Sequence, residues 1–526
     1  MRKLIRTVLL FVICGSMLLC GCTVKSGNQT TGTEGDGKEM EDNSSANEVK
    51  ERFPSYEPVG SEYNVKDFGA VGDGVTDDSA AVLGAIGKAK EKVGGTVYFP
   101  AGQYRIAEKT TFSAECILAF DDSAWLVSEA PVRINGYIKS DSHILFRGEG
   151  EYQYSLKNTY VTPVWFGATG DGVTDDTDAF VSAIATSGEI YIPATDAGYV
   201  VGDLKLAKSI RIVGLKSGNA EKPTLIGKEG IANLFKFIAN NIYINNLRIE
   251  MGNTGNAPVF FFDTSTAGKT DHKLFDIDVY GAYCVVTDAG VVENMVINSL
   301  IDNVNCYDCR GTSLVLRCFW GFIFFRNMTI DNSGTLEKYG VEVNFPAVKL
   351  ENNAGCVFQN IEIIGDGNEN SGQNGFLYSN NIATWMDGCS FKNLGGSAVK
   401  CVGSSSFLYF SNLTAEGCRG NSFEFAGITY PKIHGLTVDG KDGRNGIVVN
   451  GCHYAQISGC SVTSAAKNGI YVVSSDGTTI VGCRIGQSAE YGIYAESSPS
   501  VNCVDCEFDG NKKGDYSSGV VNSSES

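Results

Sequence analysis

From about residue 240 onward, apolar and polar positions alternate in short bursts that recur every 23 to 33 residues. Each burst has a four-residue core, as in Asn246-Leu-Arg-Ile249, Asp276-Ile-Asp-Val279, Asn360-Ile-Glu-Ile363, Gly435-Leu-Thr-Val438 and Gly482-Cys-Arg-Ile485. Positions two and four are apolar and position three is mostly polar, which is the period-two signature of a half-buried strand. A second burst follows about ten residues later, for example Gly446-Ile-Val-Val449 and Gly469-Ile-Tyr-Val472. A repeat this short buries no core alone; stacked, the repeats share one. The pattern predicts an all-β solenoid of parallel coils with apolar interior columns. The longest intervals, 30 residues from Asn246 to Asp276 and 33 from Asn327 to Asn360, predict surface loops near 250–272 and 331–355.

The first half carries a different repeat. Phe68-Gly-Ala-Val-Gly-Asp-Gly-Val-Thr-Asp-Asp78 returns as Phe166-Gly-Ala-Thr-Gly-Asp-Gly-Val-Thr-Asp-Asp176 with one change. Each copy runs into one apolar helix face, Ala81, Val82, Ala85, Ile86 and then Ala179, Phe180, Ala183, Ile184, and afterwards into a strand ending at Pro100 or Pro193. The glycines permit a tight loop, and Thr-Asp-Asp is expected to supply N-cap oxygens. The paired aspartates are therefore read as structural rather than as a catalytic or metal dyad.

This unit resembles the N-terminal segment of the pectate-lyase superfamily, that of polygalacturonase-like and rhamnogalacturonase/epimerase-like proteins and of phage tailspikes. The resemblance implies a single-stranded right-handed parallel β-helix closed by a short N-terminal capping helix. It also implies activity on polysaccharides and, for a lyase, often Ca²⁺; no metal or other cofactor is read from the residues themselves. The polygalacturonase signatures do not follow: in the repeat region there is no adjacent Asp pair, no Gly-His-Gly and no Arg-Ile-Lys, and Ile433 precedes His434-Gly435. The scaffold carries over and the polygalacturonase site does not.

The ends of the chain suggest an exported protein. Arg2, Lys3 and Arg6 precede an apolar run from Thr7 to Leu19, a signal peptide too short for an ordinary membrane span. Leu19-Cys20-Gly21-Cys22 resembles a bacterial lipobox, with Cys22 as the lipidated residue of a protein held on the outer face of the cell membrane. The expected organisation is signal peptide 1–21, disordered tether 22–60, an N-terminal subdomain 61–160, the β-helix 161–511 and a polar tail 512–526. Removing the three basic signal-peptide residues takes the net charge from −18 to −21, which argues against nucleic acid and leaves the lipid anchor as the membrane contact. Of 17 cysteines, several fall in the predicted interior columns, among them Cys389, Cys460, Cys483 and Cys506, and are read as small buried hydrophobes rather than disulfides or zinc ligands.

Position three of the first strand offers carboxylates, but Asp278 and Glu362 lie three coils apart, about 14 Å, beyond the roughly 5 to 9.5 Å of paired hydrolase carboxylates. The outward column of the second strand is read as Val315, Glu342, Leu377, Lys400, Glu424, Val448, Tyr471, Tyr494. Glu342, Lys400, Glu424 and nearby Arg317 are the catalytic candidates; Tyr471, Tyr494 and Arg326 are the substrate-binding candidates. The partner is a polysaccharide, and a lyase is favoured over a hydrolase. The alternative is a non-catalytic carbohydrate-binding or adhesive β-helix, since the scaffold suits both.

Overall fold

The computed structural model describes residues 48–57, 62–368 and 371–523, and the signal peptide, Cys22 and most of the expected tether lie outside them. The strands pair in parallel throughout. One ladder of 23 strands and another of 13 run from Asp171 to Asn522, and three smaller parallel sheets of three or four strands precede them between Tyr63 and Tyr154. The chain is a right-handed parallel β-helix: the repeat pattern predicts the stacked parallel coils, and the family resemblance implies their hand.

Each coil has three sides. In one coil these are Trp385–Asp387 (side one), Ser390–Lys392 (side two) and Val399–Val402 (side three). In earlier coils sides one and two form one long strand with a kink, such as Ile242–Glu250. The kink falls on position one of the repeat. Asn246, Asp276, Asn303, Asn327, Asn360, Asn412 and Asp505 all have φ between 50° and 57°, and Gly388, Gly435, Gly459 and Gly482 fill the same corner. Left-handed backbone is costly for most L-residues and cheap for Gly, Asn and Asp, so this corner explains the composition of position one. Side chains bond along the column: Asn303 Nδ2 donates to Asp276 Oδ1 at 3.0 Å, and Asn360 Nδ2 to Asn327 Oδ1 at 3.2 Å. Positions two and four point inward, with Leu247, Ile249, Ile277, Val279 and Cys306 fully buried.

The cysteines behave as column residues. The fourteen cysteines within the described residues are free thiols, and all but Cys506 are buried. No group of three or more His, Cys, Asp or Glu that could hold a metal occurs among the described residues.

The repeated motif closes the solenoid twice, above helices Ser79–Ala89 and Thr177–Thr186. The last aspartate of each copy does not cap its helix. Asp78 instead accepts from the backbone N–H of Val71 (2.7 Å) and Gly72 (3.2 Å), and Asp176 from Thr169 (2.7 Å) and Gly170 (3.2 Å), tying down the glycine loop. The preceding aspartate meets the helix start: Ser79 N–H donates to Asp77 at 3.0 Å and Thr177 N–H to Asp175 at 3.1 Å. The aspartates are structural, with the two roles divided between neighbours.

Two expected boundaries shift. Within the expected tether, Glu48–Arg52 is helical, and Phe53, 2% exposed, packs edge-on against Tyr160, Trp165 and Tyr191. Val49 is buried beside it, Arg52 lies over the Tyr191 ring at 4.3 Å and Tyr56 packs on Tyr98, so a few contacts fix a segment otherwise too polar to order itself. The expected polar tail supplies strands Gly514–Tyr516 and Val520–Asn522, which pair with Tyr491–Ile493 and Val501–Cys503. Val520, buried against the last coil, continues the interior column that polar neighbours hide in the sequence.

Candidate functional site

The expected site residues divide over several places. On side three, the outward column reads Thr287, Val315, Lys349, Leu377, Lys400, Glu424, Val448, Tyr471, Tyr494. Lys400 and Glu424 are direct cross-coil partners, with Nζ and Oε2 3.5 Å apart. Tyr471 and Tyr494 stack at 5.6 Å, and the Tyr471 hydroxyl donates to Glu496.

Glu342 is not in this column; Lys349 takes its place. Gly340-Val-Glu-Val343 imitates the second-strand pattern, but Gly340 (φ 65°) ends a short helix, Thr335–Tyr339, by donating its N–H to Leu336 O at 2.9 Å. The strand starts later, at Val348, and Glu342 is left exposed in the insertion.

Arg317 also leaves the site. Its backbone N–H donates to the buried Asp288 carboxylate at 2.9 Å, and its guanidinium bonds Thr287 and the Asp288 carbonyl. These bonds tie it to the turn between coils and away from Lys400. Arg326 lies on side one, paired with Asp302 at 2.8 Å, and not beside Lys400. The seven residues therefore do not converge on one groove.

Side two holds the denser chemistry. Its floor is formed by outward residues of successive coils: Arg248 beside Asp278, Asp278 beside Asn305, and Glu250, Tyr280 and Tyr307 one row over. One rim is Lys222, brought in by the loop after Leu215. The other is the insertion at 332–347, whose Tyr339 reaches back over Gly252 and Gly281. Gly281 has no room for a side chain, because a Cβ there would lie 2.3 Å from the Tyr339 hydroxyl. A cavity of about 290 Å³ opens between floor and insertion, lined by Arg248, Glu250, Tyr280, Lys338 and Tyr339 among others.

The charges in this groove are ordered. The Arg248 guanidinium sits 4.0 Å from the centre of the Tyr280 ring, which stacks on Tyr307 at 4.9 Å. Arg248 also pairs with Glu250 at 3.0 Å, and Lys338 pairs with Asp308. Lys222 Nζ bridges Asp276 and Asp278 at 2.8 Å each. Burial opposes its charge, but the two carboxylates prevail and hold it above the ordinary lysine range, so it is a fixed ammonium and not a base. Burial raises the Tyr339 phenol. Sequence reasoning passed over this groove because Lys222 and Tyr339 come from loops, and only Asp278 stood out at position three.

Calcium fails a test of fit here. Asp276 and Asp278 would offer the oxygens such an ion needs, but they already accept from Lys222 and from the amides of Asn303 and Asn305, which are donors. The residues do not form a calcium site, and no step is derived through one.

Residues 63–120 match the family described as rhamnogalacturonase A/epimerase, pectate lyase-like, and residues 426–525 the family described as right handed beta helix region. Mannuronan C5-epimerase AlgE1 of Azotobacter vinelandii is 43% identical over 90 residues, 17% of this chain and 5% of that protein. Alginate lyase 7 of the same organism is 33% identical over 139 residues, 25% of this chain and 15% of that protein. The chain thus spans 5% and 15% of the length of these two curated relatives. Among solved structures, the pre-mature gene product 12 of bacteriophage phi29 superposes with a TM-score of 0.55 at 16% identity, over 69% of this chain and 55% of that one, a likeness of fold.

Proposed function

We propose, from the premise that this chain is a right-handed parallel β-helix protein, that it acts on a polysaccharide laid across side two, cleaving it in the manner of a lyase. The reading is supported above all by the arrangement of Arg248 over Tyr280 at the mouth of the cavity beneath Tyr339. Elimination takes the proton from the ring carbon next to the sugar carboxylate, forms the ring C=C bond and breaks the glycosidic C–O bond, whose oxygen leaves with a proton; it requires a cation to neutralise the carboxylate, a base for the first proton and a donor for the second. Arg248 supplies the cation. Tyr280 lies directly beneath it and, as its phenolate, takes the carbon-bound proton, while the Tyr339 hydroxyl, which closes the cavity opposite, gives one to the leaving oxygen. Arg248 must exchange Glu250 for the substrate carboxylate, a swap of one charged partner for another. Mannuronan and alginate, which appear in the relatives' names, set the first probes. The Leu19–Cys22 junction supports a protein carrying this groove on a lipid tether outside the cell; Cys22→Ala would then lose membrane fractionation or maturation.

A polysaccharide panel read for both unsaturated product and reducing ends tests the reaction. Unsaturated product from a uronate polymer, lost in Arg248→Ala and in Tyr280→Phe, is the expected result. Reducing ends without unsaturation would make the protein a hydrolase and remove this mechanism. One observation favours the non-catalytic alternative: Lys222, Arg248 and Lys338 are all ion-paired in the groove. Binding without any turnover across the panel would establish that reading.

A further inference from the structure

Side one carries a feature that neither the groove nor the core accounts for. The corner that leads into it is also left-handed; five coils fill it with cheap residues, Asn241, Asp271, Asn298, Gly355 and Gly477, and one with the small Ala383. Three successive coils instead place Phe407 (φ 55°), Tyr430 (φ 59°) and Tyr454 (φ 56°) there. A bulky aromatic at positive φ is an outlier for which Gly or Asn would relieve the backbone. Tyr430 also precedes Pro431, which restricts its backbone further.

The strain is not offset by burial in the core. Tyr430 is 44% and Tyr454 53% exposed. The rings stack on one another, Phe407 on Tyr430 at 5.5 Å and Tyr430 on Tyr454 at 5.3 Å, at angles of 15° and 12°. Two residues along the same strands runs a second row, Trp385 stacked on Tyr409 at 5.5 Å and Lys432 over Tyr409 at 5.4 Å. Beyond it lies a row of hydrogen-bonding groups: Asp387 bonded to Ser411 at 2.6 Å, and His434 to Ser458 at 3.0 Å. Farther up the same side, Phe322, 60% exposed and again at positive φ, borders a cavity of about 620 Å³ that Tyr243, Lys273 and Phe324 also line.

We infer that side one is a polysaccharide-holding track, separate from the side-two groove, in which a chain of pyranose rings runs along the solenoid axis. The chemistry fits this occupant. Aromatic surface repeats once per coil, matching a ligand that is itself a linear repeat of rings with apolar C–H patches, and the parallel polar row meets its hydroxyls. The net negative charge argues against nucleic acid, and by the same repulsion favours the neutral polymer of the two probes below. The track makes no bonds and breaks none; it holds the polymer while the groove works. It shares with the proposed function only the ligand class.

The test uses the full chain with Phe407→Gly, Tyr430→Gly and Tyr454→Gly combined, and separately Tyr430→Asn. Electrophoresis through gels containing mannuronan or a neutral β-glucan reads binding, and thermal unfolding reads stability. The wild-type chain should be retarded by at least one of the two polymers. The triple variant should bind it about tenfold or more weakly, with a melting temperature equal to or above the wild type, because left-handed strain is relieved. Tyr430→Asn should shift both in the same directions. Turnover of short oligosaccharides should be unchanged, whereas Arg248→Ala should lose turnover and keep retardation, which separates failure of the track from failure of the groove. Unchanged retardation in the triple variant, or no retardation of the wild type by either polymer, overturns the proposal. A clear fall in melting temperature does so too, because it makes the stack a structural element.

Discussion

Lys400 and Glu424 face each other across adjacent coils of side three, with Nζ and Oε2 3.5 Å apart and side chains 37% and 20% exposed. They sit in the register that the second-strand pattern predicts. Partly exposed pairs of this kind contribute little, because side-chain ordering and solvent screening offset the attraction. Lys400→Ala is expected to cost about 0.5 kcal/mol by denaturant unfolding. It should also leave polysaccharide turnover unchanged, because Leu377 and Val448, one coil to either side of the pair, add no second carboxylate. A loss of turnover with the fold intact would move the reaction from side two to side three.

Cys460 tests the interior columns. It is 1% exposed and stands at position two of its coil, between the coils of Gly435 and Gly482. A carboxylate there would be stripped of water inside an apolar column, so Cys460→Asp should destabilise the protein by several kcal/mol, on the scale of an unsatisfied buried polar group. Alkylation followed by mass spectrometry should label Cys389, Cys460 and Cys483 only after denaturation. Labelling of all three in the native protein, or their recovery in disulfides, would contradict the column reading.

These two sites show what the sequence could disclose. Strand alternation reports which way a residue points, so Lys400, Glu424, Tyr471 and the column cysteines were legible from periodicity. Register across an insertion is not carried by alternation. Gly340-Val-Glu-Val343 has the right pattern in the wrong place, and the helix that displaces the strand is only five residues long. The side-two groove was hidden for a related reason. Lys222 reaches Asp276 and Asp278 across more than fifty residues of chain, and Tyr339 folds back over Gly252 and Gly281; loop paths of this kind have no period to read. The corner at position one was visible as a run of Asn, Asp and Gly, but its left-handed backbone was needed to give that composition a cause.

That cause can be measured at Asn327. Its φ is 54°, and its amide donates to Asp302 at 2.8 Å. Asn327→Val puts a β-branched residue into left-handed backbone and removes the side-chain bonds, and should cost roughly 2 kcal/mol or more. Asn327→Gly keeps the backbone free and loses only the two exposed side-chain bonds, to Asp302 and from Asn360, so it should stay within about 1 kcal/mol of wild type. The midpoint of denaturant unfolding separates the two. Equal costs would mean that the corner is held by the amide bond and not by the backbone.

His272 gives the protein an acid-side weakness. Its ring is fully buried against Phe237 and Phe262, and neither ring nitrogen has a hydrogen-bond partner. Burial, helped by nearby Lys269, lowers its pKa to about 4. In the unfolded chain the ring titrates near 6.5. Between these values the unfolded state takes up a proton that the folded state refuses, so stability falls as pH drops from about 6.5 toward 4. The stabilisation is intact above that window, and the loss across it is on the order of 3 kcal/mol, to be discounted for relaxation around the ring. His272→Phe should flatten this part of the pH–stability curve while placing a similar ring beside Phe262. Chemical denaturation at pH 7, 6, 5 and 4 (wild type and variant in parallel) reads the difference directly. A wild-type curve that is no steeper than the variant's would show that His272 finds a proton acceptor in the folded state after all.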